Sequence, residues 1–154
     1  MNQAIPILHV EDREEDVFLL HYIFKQVGIS NPIQVVGDGQ EAIDYIAGKG
    51  KFADREAYPF PGVVLLDLKL PQKIGLEVLE WIRGNPSLRC LIVIVLTSSI
   101  YDQDVQRSYD LGANAFLVKP SGTDELKSMC QALKDFWLTH NQPPSSCGDR
   151  RPGT

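Results

Sequence analysis

Four short stretches carry side chains able to do chemistry. Glu11-Asp12 follows the apolar run Ile7-Leu8-His9-Val10. Asp67 follows Val63-Val64-Leu65-Leu66, and Thr97-Ser98-Ser99 follows Leu91 to Leu96. Lys119-Pro120 follows Ala115 to Val118. Taken singly, each is an ordinary solvated turn or loop. Taken together, they offer three carboxylates, a hydroxyl and an ammonium at the ends of successive apolar runs. Carboxylates crowded within about 4–6 Å disfavour one another's ionisation, so the acidic trio invites a divalent cation. The donors are oxygen only and few, which leaves room for water. Those are the requirements of Mg²⁺ rather than of zinc.

For these residues to meet, the chain must bring the run ends to one edge. The apolar runs alternate with amphipathic stretches. Val17, Leu20, Phe24 and Val27 recur at helical spacing before Gly28. Ile33 to Val36 reads as a second strand, and Ala42, Ile43 and Ile46 as a helix closed by Gly48. Lys49 to Gly62 reads as a long polar loop. Leu76, Leu79 and Ile82 mark a third helix ending at Gly84-Asn85-Pro86. Val105 to Leu111 suggests a fourth helix, stopped by Gly112. Leu126, Met129, Cys130, Leu133 and Trp137 outline the last, with Thr123 as its N-cap. The order βαβαβαβαβα, with strands apolar throughout, predicts an α/β fold with a five-stranded parallel sheet wound on both faces. Such sheets bind ligands beyond the carboxyl ends of the strands.

The chain has 154 residues, 44% hydrophobic and 23% charged, the composition of a globular domain. Its net charge of −5 argues against a nucleic-acid footprint. The longest apolar run, Cys90 to Leu96, is far short of the ~20 residues of a membrane span. Cys90, Cys130 and Cys147 are widely spaced and suggest neither a metal site nor a disulfide framework, which fits a reducing, cytoplasmic setting. Residues 1–140 read as the domain. Residues 141–154, rich in Pro, Ser, Gly and Arg, read as a disordered tail. His9 reads as a packed core residue, and Trp81, Phe136 and Trp137 as helix-face packing.

Over residues 5–138 the chain resembles the receiver domain of two-component response regulators. The resemblance rests on Val10-Glu11-Asp12, on Leu65-Leu66-Asp67-Leu68-Lys69-Leu70-Pro71 with Gly75, on Leu96-Thr97-Ser98 and on Leu117-Val118-Lys119-Pro120. It implies a flavodoxin-like fold with strand order 2-1-3-4-5. It implies that Asp67 is the phosphoacceptor. Mg²⁺ would be held by Glu11, Asp12, Asp67 and the Lys69 backbone carbonyl, while Lys119 would pair with the phosphoryl group. By the same resemblance Thr97 reports phosphorylation, Phe116 is the switch aromatic, and Pro120 follows a cis peptide bond. Lys69 and Ser99 take positions that tune the lifetime of the acyl phosphate. Ile74 stands where the family often has Asp, and Glu11 where Asp is commoner.

The protein is expected to be a signalling phosphoacceptor rather than an enzyme acting on other molecules. Its partners would be a cognate histidine kinase and either a downstream effector or a histidine phosphotransfer protein. A homodimer through the fourth helix, fifth strand and fifth helix is a further expectation. The long loop before the third strand, Leu96-Thr97-Ser98-Ser99 and Phe136-Trp137 are similar to single-domain regulators paired with phytochrome kinases. A Mg²⁺-dependent phosphohydrolase of the haloacid-dehalogenase type needs an acid two residues after its nucleophile, where this chain has Lys69. A nucleotide or flavin binder needs a Gly- or Ser-rich cradle, where this chain has Glu11-Asp12-Arg13-Glu14-Glu15. A pseudo-receiver that is never phosphorylated is the remaining alternative.

Overall fold

The computed structural model describes residues 4–144 and 147. Strands β1 (Ile7–Val10), β2 (Ile33–Val36), β3 (Val63–Leu66), β4 (Ile92–Thr97) and β5 (Ala115–Val118) alternate with helices. These are α1 (Glu14–Gln26), α2 (Gly39–Ala47), α3 (Gly75–Gly84), α4 (Asp102–Asp110) and α5 (Thr123–Ala132). The strands form one parallel sheet in the order β2-β1-β3-β4-β5. This is the flavodoxin-like doubly wound arrangement.

Alternation along each strand divides the core into two layers. Ile7, Val63, Leu65, Ile92, Ile94 and Leu96 pack with Leu20, Ile23 and Phe24 of α1 and with Leu126 and Cys130 of α5. Their neighbours Leu8, Val10, Val64, Leu66, Val93 and Val95 face the other way, against α2 and α3. Full burial of a Val, Leu or Ile side chain contributes about 1.5–3 kcal/mol. A one-residue slip of register would reverse every one of these side chains.

Local signals set the helix ends. The Asp38 carboxylate accepts the Glu41 N–H at 2.7 Å and caps α2, and Gly48, at φ 73°, terminates it in the left-handed region. At α5 the cap is Gly122 rather than Thr123. The Leu126 N–H already reaches the Gly122 carbonyl at 3.0 Å, so Thr123 is the first helical residue. Helix α4 opens at Asp102, earlier than its apolar pattern suggests. Past Ala132 the last helix widens into a π-type segment, Leu133–His140. There Trp137 packs on the α1–α5 layer while Phe136 is exposed.

Two cysteines depart from expectation. Cys90 and Cys147, 57 residues apart, are joined in a disulfide with Cα atoms at 5.7 Å. Spacing along the chain does not reveal this contact, because it depends on the tail folding back to the start of β4. Cys130 stays a buried free thiol. With that bond present, the cysteines give no argument for a reducing compartment. Pro143, Pro144 and Cys147 line a cavity of about 580 Å³ with Ile5, Pro6, Phe60 and Leu91, at the amino-terminal edge of the sheet. The expectation of disorder over 145–146 and 148–154 lies outside the described residues. Among the described residues no helix is long and apolar enough to cross a membrane.

Candidate functional site

Parallel pairing brings the strand ends into line at the carboxyl edge. The Glu11 N–H donates to the Val36 carbonyl at 3.0 Å, Asp67 to Val10 at 3.1 Å, and Lys119 to Thr97 at 2.8 Å. These bonds extend the ladder one residue past β1, β3 and β5 and bring the ends of all five strands to one rim. Glu11, Asp67 and Thr97 are buried there, whereas Asp12 is exposed.

Both oxygens of Asp67 are engaged. Oδ1 accepts the Thr97 hydroxyl at 2.9 Å and the Lys69 N–H at 3.2 Å. Oδ2 accepts Lys119 Nζ at 3.0 Å. The same ammonium donates to Glu11 Oε1 and to Asp16 Oδ2, the latter at 3.0 Å. Glu11 Oε2 accepts the Arg13 N–H at 3.2 Å. Ligand atoms from Glu11, Asp12 and Asp67 all lie within 4.8 Å of one another. This clustered, all-oxygen donor set fits a hard divalent cation.

The electrostatics follow from burial. Burial pushes the Glu11 carboxyl up to about 7; the Lys119 hydrogen bond pulls it down, and the Asp67 charge pushes it up again. Burial also raises the Asp67 carboxyl, but the Lys119 hydrogen bond and charge, the Lys69 amide and the Thr97 hydroxyl outweigh it and hold the group below its usual range. Burial lowers the Lys119 ammonium, and its bonds to Glu11 and Asp67 reverse that, leaving it raised. Asp67 is thus an ionised carboxylate beside a charged ammonium. Chemically, such a carboxylate can act as a nucleophile, and such an ammonium can bind an anion.

Of the sequence-predicted residues, Glu11, Asp12, Asp67, Thr97 and Lys119 meet at this rim, and Lys69 reaches it through its backbone N–H; one expectation is corrected. Among the described residues no peptide bond is cis, so Pro120 follows a trans bond. The β5 ladder and the acidic partners of Lys119 aim that side chain, and the aim does not depend on an isomer that X–Pro bonds adopt in only ~5–6% of cases. Phe116 is half-buried on the α2–α3 face, paired in register with Val95. Thr97, two residues beyond Val95, has the same alternation and belongs to that face. Lys119, two beyond Leu117, belongs to the α1–α5 face. The Ser99 hydroxyl donates to Asp104 Oδ2 in the first turn of α4. His9 is buried with Nδ1 3.2 Å from His21 Nε2, and burial, with the charge of His21, lowers it to about 3. It is a core residue, as expected.

Gly75 is required by close approach. A Cβ there would lie 2.2 Å from the Asp67 carbonyl oxygen, and its N–H donates to the Leu68 carbonyl at 2.9 Å. The residue that the sequence reading missed is Asp16. Its position in the first turn of α1 gives it an alternative purpose as a helix-end charge. Only the crossing of α1 over the β5 end reveals its contact with Lys119.

Comparison with known proteins agrees with this geometry. The response regulator receiver domain profile matches residues 7–131. The chain is 36% identical over 138 residues to the probable methanogenesis regulatory protein FilR2 of Methanothrix harundinacea, covering 90% of this chain and 86% of FilR2. It is 38% identical over 132 residues to response regulator Rcp1 of Synechocystis sp., covering 86% and 88%. The Mn²⁺-bound structure of Rcp1 superposes with a TM-score of 0.82 at 36% identity, over 92% of this chain and 99% of that one. The phosphorylated cyanobacterial phytochrome response regulator RcpA superposes with a TM-score of 0.85 at 33% identity, again over 92% and 99%.

Proposed function

This chain belongs to the response regulator receiver family, and from that premise we propose that it accepts a phosphoryl group from a histidine kinase on Asp67. The observation that carries the proposal is the buried Asp67 carboxylate held between Thr97 and Lys119. The similarity to Rcp1 and to the phytochrome response regulator RcpA supports a phytochrome-type kinase as donor.

The chemistry is one displacement. An Asp67 oxygen attacks the phosphorus of a phosphohistidine, forming an O–P bond as the P–N bond breaks. The imidazole nitrogen keeps the electron pair and takes a proton from solvent. Charge spreads over three equatorial oxygens, so the protein's task is positioning and neutralisation. Lys119 meets one oxygen as a point charge. Glu11, Asp12, Asp67 and the Lys69 carbonyl would hold Mg²⁺, which would supply the remaining positive charge. The Mn²⁺-bound Rcp1 structure and the acidic cluster support this cation.

The output is a change of packing. Thr97 leaves Asp67 Oδ1 for a phosphoryl oxygen, and the space it vacates on the α2–α3 face admits Phe116. The surface of α4, β5 and the last helix changes with it. Tyr101, Tyr109, Val118 and Phe136 are exposed apolar residues on or beside those elements, which supports docking of an effector or a second copy there. Phosphotransfer from a panel of autophosphorylated histidine kinases tests the proposal. Transfer to wild type but not to Asp67→Asn is expected, with phytochrome-type kinases fastest. Transfer from no kinase, or equal transfer to Asp67→Asn, would reject it.

A further inference from the structure

We propose that Asp16 is a positioning residue that holds the Lys119 ammonium in place throughout the phosphorylation cycle; the inference rests on Asp67 being the phosphoacceptor. Lys119 Nζ donates to three carboxylates, those of Glu11, Asp16 and Asp67. Two of them have other work. Asp67 loses its carboxylate charge when it becomes an acyl phosphate, and Glu11 belongs to the trio whose ligand atoms converge within 4.8 Å. Asp16 is outside that trio. Its charge survives both events, and its Oδ2 lies 3.0 Å from Nζ.

Position favours the role. Asp16 is in the first turn of α1, a helix locked to the sheet through Leu20, Ile23 and Phe24. Its side chain is about one-third exposed, and Lys119 is less so, so the contact is shielded from solvent on the Lys119 side. The other cation facing Asp16 is Arg13, with Nε at 3.8 Å and a largely exposed side chain. Mobile surface partners of that kind contribute little. Lys119 is therefore the partner that fixes the Asp16 carboxylate, and Asp16 ties the phosphoryl-binding ammonium to α1.

A merely structural Asp16 would stabilise the start of α1 and nothing more. Phosphorylation rates with acetyl phosphate and Mg²⁺ separate the two roles. Asp16→Asn should slow the reaction about three- to tenfold, Asp16→Glu should recover part of the loss, and Asp16→Asn should have no further effect in Lys119→Ala. An unchanged rate in Asp16→Asn, or a further loss of the same size in Lys119→Ala, overturns the proposal. If wild type takes no phosphoryl group, the phosphoacceptor reading fails, and Asp16 is judged by the ¹H–¹⁵N signal of the Lys119 ammonium. A resolved signal in wild type that is lost to water exchange in Asp16→Asn supports positioning. A signal unaltered in Asp16→Asn, or absent from wild type, rejects it.

Discussion

Lys119 Nζ and Asp67 Oδ2, 52 residues apart in sequence, meet at 3.0 Å at the carboxyl edge of the sheet. This contact sets a cation against the buried Asp67 carboxylate. On the proposed function, it is where the phosphoryl group arrives.

Intact mass analysis gives the most direct check. With Mg²⁺ and acetyl phosphate, wild type should gain about 80 Da, one phosphoryl group on one carboxylate. Asp67→Asn should gain nothing, and chelation of Mg²⁺ should abolish the gain. A second addition of equal size, or labelling of the Asn variant, would move the nucleophile elsewhere.

Cation binding should show in stability. Mg²⁺ at ten times its dissociation constant adds about 1.4 kcal/mol to a folded state that alone binds it. The thermal midpoint of wild type should rise accordingly. Asp12→Asn removes an exposed ligand, so the variant should fold normally yet lose most of the rise. An equal rise in both proteins would separate Asp12 from the cation.

Two buried groups give opposite pH dependences in metal-free buffer. His9 is lowered from 6.5 to about 3 by burial. Its contribution is present above pH 6.5 and is lost as pH falls toward 3. Glu11 is raised from 4.5 to about 7 by burial. Its contribution is present below pH 4.5 and is lost as pH rises through 7. Between pH 4.5 and 6.5 the two oppose. In denaturant titrations across that window, His9→Leu should become steadily less stable with rising pH, while wild type should stay flatter. Parallel profiles would contradict the assignment.

Gly75→Ala places a methyl group 2.2 Å from the Asp67 carbonyl oxygen. Because backbone must move, we expect a loss of about 1–3 kcal/mol, together with slower phosphorylation. Stability and rate equal to wild type would show that the β3–α3 turn relaxes freely.

The disulfide closes a long loop between positions separated by 57 residues. Under oxidising conditions Cys147→Ser should lower stability by about 2–4 kcal/mol, and a dithiol reductant should bring wild type to the level of the variant. No difference before reduction would mean that the Cys90–Cys147 bond does not stabilise the fold.

Much of this was legible in the residues. β1, β2, β3 and β5 follow their apolar runs; β1 and β3 are buried throughout, and a parallel strand covered on both faces needs no polar alternation. β4 runs one residue further than its apolar run, since Thr97 is drawn into the ladder while its hydroxyl is satisfied by Asp67. The start of α4 was hidden because Asp102, Gln103 and Asp104 are polar, although acids in a first turn are themselves a helix signal. Asp16 and the Cys90–Cys147 bond were illegible for a common reason. Each depends on elements distant in sequence crossing at one place, which local spacing does not encode.

The two-layered core gives the site a mechanical asymmetry. Asp67 stands at the seam, with one oxygen bonded to Thr97 from the α2–α3 side and the other to Lys119 from the α1–α5 side. Any group added to Asp67 must renegotiate both bonds at once. A single covalent event thereby grips both flanks of the protein, one by way of a threonine and the other by way of a lysine.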